Sequence, residues 1–138
     1  MNIVKLARGL IIQHEGFWSH PYRDTVGKLT IGYGTNLEDR GISRAEALEL
    51  LDNDIHRLIR DLYGYPWFLS LSEPRRAVII DMAYNLGLHG LLGFRRMIAA
   101  IELKMWEEAG KEMMDSKWAH QVGRRAETLR DIMVSGEA

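Results

Sequence analysis

Residues 14–36 read HEGFWSHPYRDTVGKLTIGYGTN, and they hold most of the turn and strand signals of a chain otherwise patterned for helix. Inside the stretch, RDTVG (23–27) is a turn: Asp24 begins it, Gly27 closes it, and an aspartate side chain accepts hydrogen bonds from amides two residues on. KLTIGYG (28–34) then alternates, so that Leu29, Ile31 and Tyr33 point one way, able to pack against helices, while Lys28, Thr30, Gly32 and Gly34 point the other. A strand face of one threonine and two glycines leaves backbone open to whatever lies against it, as the floor of a ligand cleft requires.

Upstream, Ile3, Leu6 and Leu10 recur at helical spacing over residues 2–13, and Gly16 is a stop, so Glu15 ends the first helix. Downstream, SRAE (43–46) is a capping box. Leu48, Leu51, Ile55, Leu58 and Leu62 then mark one long helix that runs to the break at YGYPW (63–67). In LSEPRRAVIIDMAYNLG (71–87) Ser72 is a candidate cap, Pro74 fits the first turn and Gly87 the exit; the apolar middle predicts a helix buried on most sides. Further helices are expected near 94–103, 106–114, 117–121 and 124–134, with no repeat or long linker.

Composition bounds the class. The 138 residues, 46% hydrophobic and 27% charged, make one folded domain. The chain has no cysteine, which excludes disulfides and thiolate chemistry and fits a reducing cytoplasm. A net charge of -1 argues against nucleic acid as a partner. No stretch reaches the roughly 18 to 20 uncharged residues of a membrane span, and Arg8 and Gly9 interrupt the opening apolar run, so neither membrane insertion nor an export signal is expected. Five histidines show no metal-ligand spacing, so neither metal nor cofactor is expected. The arginine pairs 75–76, 95–96 and 124–125 read as solvated helix ends, and the methionines with Trp106 as core.

A glutamate, an aspartate nine positions later and a threonine hydroxyl around one groove are the parts that glycosidic hydrolysis needs: one protonated carboxyl for the leaving oxygen and one ionised carboxylate on the other face of the sugar. Spacing alone leaves solvated surface charge as the commoner explanation. The stretch from His14 to Gly34, however, resembles the active-site signature of the T-even phage lysozymes, glycoside hydrolase family 24. RRAVIIDMAYNLGLHGLLGF (75–94) resembles that family's buried central helix, and WEEA (106–109) with SKWAHQVGRRAETL (116–129) its later helices.

The resemblance implies an α+β, mostly α, lysozyme-like fold over residues 1–138: a hairpin lobe at 14–60, whose long helix links it to a helical lobe made of 1–13 plus 67–138. It implies Glu15 as general acid, Asp24 as the second carboxylate and Thr30 as the hydroxyl that helps hold the attacking water. Asn85 and Trp118 would line the cleft between lobes, and Arg125 would ion-pair with the acid. The activity implied is cleavage, with inversion, of the β-1,4 bond between N-acetylmuramic acid and N-acetylglucosamine in the peptidoglycan glycan strand. Inversion asks for carboxyls roughly 6.5–9.5 Å apart, and the chemistry asks that Glu15 stay protonated while Asp24 stays ionised.

A phage-type enzyme of this kind is expected to act as a monomer, to remain in the host cytoplasm, and to reach the wall when a separate holin-type pore protein opens the membrane. Thr35 stands where many relatives carry histidine and Thr128 where a second arginine falls, and the chain ends early at SGEA. The competing classes are a wall-binding module without activity, a lytic transglycosylase that uses one acid and no water, and a helical nucleic-acid binder. Retention of Glu15, Asp24 and Thr30 counts against the first, and net charge against the last.

Overall fold

The computed structural model describes residues 2–138. Their order is α1 (Ile3–Glu15), β1 (Trp18–Arg23), β2 (Leu29–Gly32), β3 (Thr35–Asn36), α2 (Arg44–Leu62), α3 (Pro66–Leu69), α4 (Glu73–Leu92), α5 (Arg95–Glu102), α6 (Trp106–Met114), α7 (Lys117–Val122) and α8 (Arg124–Ser135). This is the α+β, mostly helical class expected. The chain divides into two compact units, Met1–Glu49 and Leu50–Ala138, with the boundary inside α2.

In the first unit, Asn2 caps α1 by accepting from the amides of Val4 and Lys5, and the amide of Gly16 closes the last turn on Ile12 O. Glu15 is thus the last helical residue, as expected. The three strands form an antiparallel sheet in the order β1-β2-β3. Tyr22 pairs with Thr30 and Trp18 with Gly32; β1 spends four steps where β2 spends two, so a bulge holds the extra residues, Pro21 with its missing amide among them.

The third strand escapes the alternation pattern. Two residues are too few for a period, and Thr35 and Asn36 become a strand only by pairing with Ile31 and Thr30. Burial within β2 also departs from the alternation: Leu29 and Ile31 are half-buried and Tyr33 is exposed, resting on Phe17, whereas Thr30 is only 3% exposed. The reason is cross-strand. Tyr22 stands opposite Thr30, and the Thr30 hydroxyl is drawn down onto Lys28 O.

The capping box at the start of α2 forms in full: Ser43 Oγ accepts from the Glu46 amide at 3.1 Å, and Glu46 Oε1 accepts from the Ser43 amide at 2.8 Å. The Ser43 amide on this carboxylate, with the Arg40 guanidinium and the Ser43 side chain beside it, lowers the Glu46 pKa from 4.5 to about 2. A carboxyl depressed in the folded state contributes stability above its unfolded pKa and loses it as pH falls toward the folded value. Between pH 4.5 and 2, wild type is therefore expected to lose melting temperature more steeply than Glu46→Gln. Parallel thermal melts over that window check this.

The hydrophobic core of the described residues lies in the second unit, around Phe68, Ile79, Met82, Met97, Met113 and Met133, none more than 1% exposed. Pro74 sits in the first turn of α4, but Ser72, although it holds the cap position, makes no capping bond with its side chain. At Gly87 (φ 78°, ψ 158°) the backbone leaves helical geometry, and a further turn resumes as far as Leu92. Arg75 ties the unit together: its Nε and Nη2 donate to Met133 O and Val134 O at the end of α8, and its guanidinium lies 3.7 Å from the Trp106 ring centre.

Candidate active site

The turn that carries Asp24 closes as its sequence dictates. The Gly27 amide donates to Asp24 O at 3.0 Å, and the Asp24 amide donates to Lys28 O at 2.9 Å. Asp24 Oδ1 accepts from the amides of Val26 (3.0 Å) and Lys28 (2.8 Å), so the carboxylate is held by its own turn before any tertiary contact. Arg23 braces the outside of the turn, donating from Nη1 to Gly27 O and to Glu38; Lys28 pairs with Glu38 and Asp39. These ion pairs are solvated and contribute little individually.

Thr30 is the buried polar residue of this site. Its hydroxyl proton is committed to Lys28 O at 2.9 Å, so Oγ1 can meet a further polar group only as an acceptor.

Glu15 arrives from the end of α1 and rests against Gly34. A Cβ built on Gly34 would stand 2.8 Å from both Cδ and Oε2 of Glu15, and the glycine has φ +83°. Position 34 is therefore restricted twice, by backbone conformation and by the carboxyl filling the space a side chain would take.

These groups wall one polar pocket of about 360 Å³, lined by Glu15, Tyr22, Arg23, Asp24, Thr25, Thr30 and Gly34. It brings together the three residues read from the sequence as acid, second carboxylate and hydroxyl. Tyr22 and Thr25 were not singled out by sequence reasoning. The signal for Tyr22 is its cross-strand pairing with Thr30, which needs the register; Thr25 follows Asp24 directly.

The other three candidates lie in the second unit. Trp118 is 3% exposed and packs edge-on against Phe94, and its Nε1 donates to Asn85 Oδ1 at 2.8 Å. That bond occupies the amide oxygen of Asn85 and leaves the NH2 group as its free polarity. Within the second unit Arg125 engages Asp81: Nε and Nη2 both reach Asp81 Oδ1, at 2.8 and 2.7 Å. Asp81 lies on α4, one turn from Ala77 and Asn85, and a guanidinium fork takes the carboxylate that its own unit presents. Asp81 and Arg125 also edge an apolar pocket of about 450 Å³ with Leu51, Ile55, Ile80 and Tyr84.

A helix-terminal glutamate, a turn aspartate and a threonine hydroxyl around one polar pocket are the parts of a glycoside hydrolase. The chain belongs to the phage lysozyme family, whose model matches residues 12–131. It is a glycosidase of the peptidoglycan-degrading lysozyme class. Its sequence is 25% identical to probable T4-type lysozyme 1 of Dictyostelium discoideum, over 97% of this chain and 96% of that protein. It is 25% identical to the SAR-endolysin of Bacteriophage PS119 over 89% of this chain and 78% of that protein. The match to pre-baseplate central spike protein Gp5 of Enterobacteria phage T4, at 28% identity, covers 69% of this chain and 17% of that protein.

Proposed function

We propose that the chain hydrolyses the β-1,4 bond between N-acetylmuramic acid and N-acetylglucosamine, with inversion. The observation that supports this reading is the shared pocket of Glu15, Asp24 and Thr30. Glu15 gives its proton to the leaving oxygen as the glycosidic C–O bond breaks. Water attacks the anomeric carbon from the opposite face, one of its protons passing to Asp24 and the other hydrogen-bonded to Thr30 Oγ1, which is free only as an acceptor. Asp24 is held for this work by two amides, so it needs no reorganisation when charge develops on the sugar.

In the second unit, we assign Asn85 and Arg125 as substrate contacts. Trp118 acts through Asn85, whose amide it orients. The biological reading is phage-type lysis by a monomer that stays in the host cytoplasm until a pore-forming protein admits it to the wall. Among the described residues no single helix is long and apolar enough to cross a membrane. Enzyme recovered from the periplasm of cells without any pore protein would sink the release step.

Digestion of purified peptidoglycan tests the chemistry. The expected products carry reducing N-acetylmuramic acid ends, with the α anomer formed first in proton NMR. A β anomer first would replace inversion by a covalent route, and anhydro-muramyl ends would reassign the enzyme as a transglycosylase.

A further inference from the structure

We infer that Trp18 and Tyr22 form an aromatic platform that seats a sugar ring of the glycan strand beside the candidate catalytic pocket, an inference that rests on reading that pocket as glycan-cutting. The two rings are in contact, with centroids 5.0 Å apart and planes tilted by 40°. Trp18 is 55% exposed, a large apolar side chain left open to water at the start of a strand. Tyr22 lines the pocket itself, so the aromatic surface is continuous with it.

The sheet explains why the rings meet. The bulge in β1 inserts an even number of residues between its paired positions, so Trp18 and Tyr22 keep the same face, the one that carries Thr30 and Gly32 across the ladder. Gly32, opposite Trp18, offers no side chain, and nothing lies within 4 Å of where its Cβ would be. The result is a shelf with an indole on one side, bare backbone on the other, and the pocket at its end.

A pyranose ring fits that shelf chemically. One face of the sugar presents C–H bonds to the electron-rich face of an aromatic ring, while the hydroxyl and acetamido groups at its edge stay hydrated. Two rings are far too small an area for a stable protein partner, which needs roughly 800 Å² on each side. The other exposed aromatic pair, Phe17 with Tyr33, does not line the pocket.

The test is binding of uncross-linked glycan oligosaccharides, stripped of stem peptides, to the uncleaving Glu15→Gln protein. Calorimetry is followed in parallel with tryptophan fluorescence, to which Trp67 and Trp118 are buried contributors. Adding Trp18→Ala is expected to weaken binding roughly tenfold and to abolish the ligand-induced blue shift. Trp18→Phe, which keeps a ring, should hold affinity within about threefold, and Phe17→Ala within about twofold. Equal affinity with and without Trp18 would overturn the platform and leave the hydrolytic reading standing. A wild type that binds through Trp18 but does not cut the strand would do the reverse.

Discussion

Glu15→Gln is expected to fold like wild type and to lose peptidoglycan hydrolysis by roughly 10²–10⁴-fold, the usual contribution of a positioned general acid. Glutamine keeps the shape that rests against Gly34 but has no proton to transfer to the leaving oxygen. Asp24→Asn should lose activity on a similar scale for a different reason. The asparagine Oδ1 can still accept from the Val26 and Lys28 amides, so the turn survives while the negative charge does not. Asp24→Ala, by contrast, removes both bonds, at about 1 kcal/mol each. Release of reducing ends, measured beside thermal melts, separates the three. A Glu15→Gln enzyme that retained more than about a tenth of wild-type activity would refute its role as acid.

Gly34→Ala is expected to cut activity roughly tenfold to a hundredfold, out of proportion to its effect on stability. The methyl group would meet the Glu15 carboxyl at 2.8 Å, and a carboxyl at the end of a flexible side chain yields by moving away. Relief is therefore cheap for the fold and costly for the chemistry, because the acid leaves its place. The backbone adds its own term, since alanine at φ +83° is strained by about 1–2 kcal/mol. Gly41→Ala isolates that term: its φ is +65° and nothing lies within 4 Å of the added methyl. The two variants should lose similar stability, and Gly34→Ala alone should lose most of its turnover. Equal activity in both would mean that the Glu15 carboxyl tolerates displacement and does not act from where it lies.

Much of this protein was legible along the chain because the interactions responsible span four residues or fewer. The Asp24–Gly27 turn, the Ser43–Glu46 capping box, the end of α1 at Glu15 and the helical period of α2 are all made by near neighbours, and each forms as read. The family signature rests on the same local stretch, and for that reason Glu15, Asp24 and Thr30 could be named before any fold was in view.

Contacts between distant positions decide the rest. Thr35 and Asn36 are a strand only because Ile31 and Thr30 are beside them, and the buried Thr30 stands between Tyr22 and Asn36 across the ladder. Arg125 finds Asp81 across 44 positions, and Trp118 finds Asn85 across 33. The same holds for the aromatic pair of Trp18 and Tyr22, which depends on a bulge that no period announces. Sequence by itself determined which candidate residues lie close along the chain and which local turns and caps hold them, since hydrogen bonds to adjacent amides are written into residue order. Only the tertiary structure decided what each polar group meets, because a partner far along the chain is chosen by register and packing.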